Sequence, residues 1–493
     1  MTRHLDVRRG VYHDSVALMQ VSRTVGDLPE VDAALVAMGT ELNLDLLEGM
    51  GFEAPGDVGP SDLLIAVDAA DDALPGALAR AEAALTERAR PAAGGFGDEP
   101  SPRTIGSAAE HADASLAFVS TPGQYAFLDA MDALESGLPV VVFSDNVPVE
   151  QEVALKQRAA ETGLLVMGPD CGTAVVGGVG LGFANVVRPG SVGIVAASGT
   201  GAQQVMTLLD AAGVGISHCL GVGGRDMSTD VGGRSTHTAL ELLDGDEATE
   251  LILVVGKPPA PEVAEALRAQ AKALTTPVQF ALLGADHPDL TAATADAAAS
   301  VGGQLGEPRR WDQPERPTSR GSLRGLFSGG TLCDEAMLIA STRLGPVRSN
   351  IPLHPEWALP QDLHDAGHLM IDFGDDELTQ GRPHPMIDGS MRTERLREEA
   401  ADPNCGVVLL DVVLGHGAHS DPAAELAPAI TTAIDEARRG GRTLSVVISL
   451  VGTGDDPQGL ERQAKALHAA GASVHLSNAD AARTAVALVG GTR

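Results

Sequence analysis

Two stretches set a glycine-rich turn and polar side chains where an apolar strand gives way to a helix. The first is Val192–Val205, VGIVAASGTGAQQV. Ser198 or Thr200 can cap the helix, and Gly199 and Gly201 let a ligand approach the backbone. The unbonded N–H groups of a first helical turn, with the positive end of the dipole, favour a phosphate or a carboxylate. The same residues also read as a plain strand–helix turn with a capping serine. The second stretch is Val407–Pro422, VVLLDVVLGHGAHSDP. Gly415 and Gly417 repeat the loop, and His416, His419 and Asp421 are added to it. A histidine at a helix N-terminus resists protonation, which suits a neutral donor or a base. Two histidines and one aspartate are a thin donor set, so no metal is expected.

A third glycine turn, Gly221–Asp226 (GVGGRD), follows the apolar run Ile216–Leu220. Gly223 and Gly224 open the backbone there, and Arg225 beside Asp226 could clamp an anion in forked geometry. A glycine-rich turn with a surface Arg–Asp pair is the plainer alternative. Cys171 in GPDCGT has no base adjacent in sequence, which argues against a catalytic thiol. Tyr12, Asp14 and Ser15 follow a strand start, but no G-x-G-x-x-G accompanies them.

The elements that must hold these loops are short apolar strands alternating with amphipathic helices. Strands are expected at Ala33–Met38, Leu63–Val67, Leu116–Ser120, Val140–Phe143, Leu164–Met167, Val192–Ala196, Leu251–Val255, Val278–Leu282, Val407–Val413 and Leu444–Leu450. Near-continuous apolar strands between helices predict an α/β chain with mostly parallel sheets covered on both faces. The spacing repeats: Glu250–Gly284 and Gly406–Gly454 each run strand, polar loop, helix, strand, glycine turn. Ligands of such sheets bind at the carboxyl ends of strands.

Three doubly wound domains are expected: a Rossmann-like one over 1–190, with a surface loop at 91–107, and flavodoxin-like ones over 191–306 and 323–493. A charged, proline-containing linker, 307–322, joins the last two. The 34 basic and 67 acidic residues give a net charge of −33. Such a surface repels nucleic acid and anionic membranes. The four scattered cysteines and the absence of a signal core in MTRHLDVRRG point to a reducing cytoplasm, with no membrane span.

Beyond these patterns, Phe118–Val175 resembles the CoA-binding domain of a succinyl-CoA synthetase α subunit, through GLPVVVF and MGPDCGT. GIVAASGTGAQQV to LGVGGRD resembles that subunit's ligase domain, and DGSMRTERLREEAADPNCGVVLLDVVLGHGAHSDP the carboxyl-terminal domain of the β subunit. The fusion, with YHDSVALMQVSR at its start, resembles the FdrA family. The resemblance implies one CoA-binding-type domain and two ligase-type domains. It implies phosphate held by Ser198, Gly199, Thr200, Gly201, Gly415 and Gly417 at two helix N-termini that face each other. His416 and His419 would be catalytic, and Gly223, Gly224, Arg225, Asp226 and Asp421 would bind substrate. VVGKPPAPEVAEAL lacks the family's phosphorylated histidine, and the chain leaves no room for an ATP-grasp domain. The activity then implied is a carbamoyltransferase subunit, joining oxamate and carbamoyl phosphate to give oxalurate and phosphate, or the reverse. It would act on a small anionic substrate, with partner subunits, as an oligomer. The alternatives are an acyl-CoA synthetase and a non-catalytic scaffold subunit. CoA or a nucleotide are the cofactors the resemblance brings, and the residues fix neither.

Overall fold

Strand alternation in the sequence becomes four sheets in the computed structural model. It describes residues 2–489 except 12, 14, 30, 57, 89–101, 315–317, 319–320 and 380–381. Tyr12, Asp14 and most of the 91–107 loop therefore lie outside the described residues.

The first sheet holds β1 (Thr2–Arg8), β2 (Val31–Met38) and β3 (Leu63–Ala69), in the order β1-β3-β2 with both pairings antiparallel. It carries α1 (Ser15–Gly26), α2 (Glu41–Gly49) and α3 (Leu74–Arg88). Leu18, Val21 and Val25 of α1 pack on Ile65 and Val67. After α4 (Ile105–Ala109) comes a small parallel sheet, β4 (Ala117–Val119), β5 (Val140–Val142) and β6 (Val166–Met167), with α5 (Gly123–Glu135) and α6 (Val149–Thr162). Residues 1–190, expected as one Rossmann-like domain, thus hold two whole sheets, and Thr173–Val176 and Val179–Gly182 already pair in a third. The reason lies in β1, whose Arg3, His4, Asp6 and Arg8 suit a half-solvated antiparallel edge rather than a buried parallel strand.

The third sheet contains β7 (Thr173–Val176), β8 (Val179–Gly182), β9 (Pro189–Ala196), β10 (Ile216–Gly221), β11 (Leu251–Gly256) and β12 (Val278–Leu282). Its order is β12-β11-β9-β10-β7-β8. Its helices are α7 (Gly199–Ala211), α8 (Arg234–Asp244), α9 (Pro261–Ala273) and α10 (Leu290–Ser300). The fourth contains β13 (Arg310–Trp311), β14 (Ser322–Phe327), β15 (Arg348–Ser349), β16 (Leu369–Asp372), β17 (Cys405–Val413), β18 (Ser445–Val451) and β19 (Ala472–His475). Its order is β13-β19-β18-β17-β14-β16-β15. It is flanked by α11 (Gly330–Leu344), α12 (Asp376–Thr379), α13 (Ser390–Ala401), α14 (Pro422–Arg439), α15 (Leu460–Ala469) and α16 (Asn478–Leu488).

The run β12-β11-β9-β10 matches β18-β17-β14-β16 in order, and every pairing in both is parallel. β9 and β14 are therefore equivalent inner strands. Within the expected linker, β13 pairs antiparallel with β19, because Trp311 packs against the core of the fourth sheet. The two halves touch through polar groups: Gln204 Nε2 donates to Leu476 O at 3.0 Å, and Asn478 N donates to Gln204 Oε1 at 2.9 Å. Among the described residues, no helix is long and apolar enough to cross a membrane.

Candidate active site

A cavity of about 1150 Å³ opens at the carboxyl ends of β9 and β14. Each strand ends in a serine and glycines, and each then starts a helix. After β9, Ser198 caps α7, and its Oγ accepts from Gly201 N–H at 3.0 Å. After β14, Ser328-Gly329-Gly330-Thr331 opens α11. The Ser198 hydroxyl donates to Thr331 Oγ1 at 2.6 Å, so the two helix starts meet. They meet closely: a Cβ on Gly201 would lie 2.8 Å from Thr331 Cγ2, and one on Gly329 only 2.4 Å from Thr200 Oγ1. Each helix end carries roughly half a positive charge. Two such ends facing one space repel each other unless an anion lies between them.

The loop before α11 is fixed from beneath by Asp411 of β17. Its Oδ1 accepts from Ser328 N at 2.8 Å and Ser328 Oγ at 2.9 Å, and its Oδ2 from Gly329 N at 2.9 Å. Arg392 pairs with it at 3.2 Å. From β11 comes Lys257, whose Nζ lies 2.7 Å from Asp334 of α11 while the side chain stays 56% exposed in the cavity wall. Burial works against the lysine's charge, but Asp334 more than offsets it and raises its pKa. The Asp334 carboxyl is itself raised by burial, with Lys257 opposing.

Two neutral donors complete the wall. Asp372, at the end of β16, accepts from Gly374 N at 2.9 Å through Oδ1. Its Oδ2 sits against the start of α11, where a Cβ on Gly330 would be 2.6 Å away. Burial pushes this carboxyl up to about 8, with Gly374 opposing and Asp411 adding. His384 accepts from Met386 N–H at Nδ1, which leaves the proton on Nε2. Its ring packs on Phe183 at 5.4 Å, and burial, then Arg392, push its pKa down to about 4. Arg225 stands further out, held by Glu152 at 3.0 Å and by Val147 O at 2.7 Å. Asp170 opens onto the same space with a left-handed φ of 57°.

The sign of the Asp372 shift yields an expected result. Its folded pKa lies above the unfolded value of about 3.9, so the stability it contributes is complete below about pH 4 and is lost as pH rises through about 8. The protonated form can donate to an anion and the ionised form repels one. Sulfate, whose charge is constant in this range, should bind progressively more weakly as pH rises through about 8. In Asp372→Asn that dependence should vanish. Calorimetric titration between those limits checks it, and a flat wild-type profile would remove Asp372 from anion binding.

Residues 326–488 match the CoA-ligase family, and residues 1–102 match the AllF, heavy metal-associated domain. The uncharacterized protein YahF of Escherichia coli is 38% identical over 495 residues, spanning 96% of this chain and 95% of YahF. The chain belongs to the YahF family. The ADP-forming succinate–CoA ligase subunit alpha 2 of Archaeoglobus fulgidus is 30% identical over 159 residues. That match spans 31% of this chain and 54% of the subunit, about half its length. The YahF-family chain is thus succinyl-CoA synthetase-like. Among solved structures, the dinucleotide forming acetyl-coenzyme A synthetase 1 of Ca. Korarchaeum cryptofilum aligns over 81% of this chain and 87% of its own, at 16% identity and a TM-score of 0.28. A heavy metal does not fit the first unit: residues 1–102 contain no cysteine, and the described residues contain no cluster of three or more His, Cys, Asp or Glu placed to hold a metal ion.

In this YahF-family chain, Ser198, Gly199, Thr200, Gly223, Gly224 and Arg225 line the cavity, and Gly201 forms the contact between helix starts. The other expected residues lie elsewhere. Asp226 is fully buried and saturated by Lys156, Ser235 N, Thr236 N and Thr236 Oγ1, so it holds the fold rather than substrate. Gly415 follows β17, one strand outward from β14, and its loop closes on Ala184: His416 N donates to Ala184 O at 2.8 Å, and Gly415 N to Gln458 Oε1 at 3.0 Å. A Cβ on Gly417 would sit 3.0 Å from Gly182 O, so this glycine serves the same clasp. His419 donates its N–H to Met386 O and accepts from Asp421 N, and burial lowers its pKa. Asp421 caps α14 and pairs with Arg462 at 2.6 Å. Among the described residues, none of Gly415, His416, Gly417, His419 and Asp421 lines the cavity. The partner of the Ser198 loop is the Ser328 loop, which repeats its Ser-Gly pattern after an equivalent strand. That repeat, and the lysine in GKPP, were the signals available in sequence.

Proposed function

We propose that this chain transfers an acyl group to or from phosphate, holding the phosphate between the N-termini of α7 and α11. The observation that carries the reading is the 2.6 Å bond from Ser198 to Thr331, which brings two helix starts to one point. Backbone N–H groups at Gly199 and Gly330 and the Lys257 ammonium would hold the phosphate and stabilise it as a leaving group. His384 Nε2–H would donate to the oxygen that gains charge on the carbonyl. The cavity exceeds the volume an acyl phosphate needs, which leaves space for an acceptor beside it. The CoA-ligase match supports a thiol acceptor, with acyl phosphate and CoA giving acyl-CoA and phosphate.

A second reading has carbamoyl phosphate as donor and oxamate as acceptor, as in an FdrA-type carbamoyltransferase subunit. It is favoured by Lys257 following β11 where the resembled synthetases carry a phosphorylated histidine, because a lysine there suits a preformed acyl phosphate. Phosphate release from acetyl phosphate with CoA, and from carbamoyl phosphate with oxamate, separates the two. Turnover with CoA alone supports the ligase-type reading, and turnover with oxamate alone supports the carbamoyltransferase. Release in neither, with Lys257→Met binding phosphate as well as wild type, would overturn both.

A further inference from the structure

The first unit, built from β1–β3 and α1–α3, matches a metal-associated domain, yet its described residues hold no metal-ligand set. What it does touch is the cavity. Met19, Ser22 and Arg23 of α1 and Leu35 of β2 line the same space as Gly199 and Gly330. The unit forms one wall of the site without sharing a core with the body that carries the helix starts. Val141 and Met167 of the small parallel sheet share a core with Leu220 and Val254 of the third sheet. Leu338 of α11 packs on the core of the third sheet, and Phe183 packs within that of the fourth. The first unit has two clusters of its own, one with Leu18, Ile65 and Val67 and one with Leu47, Phe52 and Leu64. Among the described residues, neither takes a side chain from beyond α3. Units that meet without a large apolar interface move relative to each other by default.

Arg23 makes the polar contact across this boundary. Its Nη1 donates to Ile387 O and its Nη2 to Glu425 Oε2 at 3.0 Å, with Asp388 at 3.7 Å. The planar fork of a guanidinium serves a carbonyl and a carboxylate at once. The acceptor side is fixed in place. Ile387 N donates to His384 O at 2.7 Å, Asp388 N to the same oxygen at 3.1 Å, and His419 N to Met386 O at 2.8 Å. A tight turn, the one that carries His384, thus presents the Ile387 carbonyl. A second partner stands on the arginine's own helix side. Asp27, 71% exposed, lies 3.6 Å from Arg23 Nε. Released from Glu425, the guanidinium keeps a counter-charge, so a docked and a lifted arrangement each satisfy it.

We infer that the first unit is a cover, docked over the helix starts through Arg23 and lifting to exchange ligand. For what it encloses, this rests on the reading that phosphate sits between the two helix starts. Docked, the cover keeps water from the anion and strengthens its attraction to the N–H groups and to Lys257. Lifted, it opens the wall formed by α1 and β2 and leaves its own two cores intact.

The test places spin labels on the full chain through Glu48→Cys on α2 and Arg439→Cys on α14. Both positions are exposed, and the four native cysteines are buried. Without ligand, pulsed dipolar spectroscopy should give the labelled parent one narrow distance distribution. Arg23→Glu sets a fourth carboxylate among Glu425, Asp388 and Asp27, and should add a longer, broader population. Glu425→Arg, a change on the other side of the boundary, should add the same population, and the two changes together should restore the short distance. Circular dichroism should stay the same throughout, since neither residue belongs to a core. Exchange of bound inorganic phosphate, read by phosphorus NMR, should speed up on the order of ten- to a hundredfold in Arg23→Glu. Distances that match the parent in both single variants overturn the inference, and so do longer distances with unchanged phosphate exchange. Failure of phosphate to bind the parent overturns the proposed function instead, and the distances alone then decide the cover.

Discussion

Replacing Gly329 by alanine should lower phosphate affinity by about tenfold to a hundredfold and leave the chain folded. The added methyl would sit 2.4 Å from Thr200 Oγ1, 2.6 Å from its Cγ2 and 2.7 Å from its Cβ. The last of these contacts decides the effect. A hydroxyl or a methyl can swing away by rotation about χ1, but Thr200 Cβ moves only with the backbone of α7. Gly329 has φ −122° and ψ 114°, which alanine adopts freely, so the cost comes from the contact and not from the turn. Overpacking of this kind costs roughly 1–3 kcal/mol. The strain is relieved by separating α7 from α11, which lengthens the Ser198–Thr331 bond and moves one ring of N–H donors off the anion. Calorimetry with inorganic phosphate and circular dichroism on the same sample check the two halves of this expectation. Unchanged affinity in a folded variant would mean that the two helix starts do not share an anion.

Ser198 and its loop were legible because β9 is apolar: its buried stretch ends in Val192, Ile194, Val195 and Ala196, and a glycine turn after such a run stands out. The equivalent strand β14 does not announce itself. Its sequence, SLRGLF, has arginine and glycine at the centre. In the fold Arg324 is fully buried, matched by Glu399 at 2.8 Å, Asp402 at 2.9 Å and the Gly367 carbonyl. A charged residue neutralised by partners more than forty positions away defeats any rule based on apolar runs. With β14 unseen, the Ser328 loop lost its context, and the histidine-bearing loop after β17 took its place. The repeat contained the remedy. It spans β11–β12 and β17–β18, and the inner sheet neighbours of β11 and β17, β9 and β14, lead to Ser198 and Ser328. What no local pattern could supply is which loops meet. Asp372 ends β16, Lys257 follows β11 and His384 precedes α13, and burial raises the first and lowers the last while Asp334 raises the lysine, effects that no local pattern carries.

Asp226 shows the opposite error, a residue that looked functional because it follows a glycine turn, and it leads to the largest expected loss of stability. Lys156 of α6 is fully buried and bonds Glu152 at 2.7 Å, Asp226 at 2.7 Å and Val222 O at 2.8 Å. It thereby ties the small parallel sheet to the turn after β10. Lys156→Met keeps the length of the side chain and removes the charge, which leaves two buried carboxylates facing each other. Breaking a buried ion pair from one side costs about 3–5 kcal/mol. Glu152 keeps Arg225 at 3.0 Å, so most of that cost falls on Asp226. The urea midpoint should therefore drop sharply in Lys156→Met. It should recover in part when Asp226→Asn is added, because an amide in the same place needs no counter-charge. Had Asp226 bound substrate, the single change would spare stability and the double change would abolish turnover without rescuing the midpoint. Partial rescue, by contrast, marks Asp226 as the anchor of the GVGGRD turn, whose only side chain in the cavity wall is then Arg225.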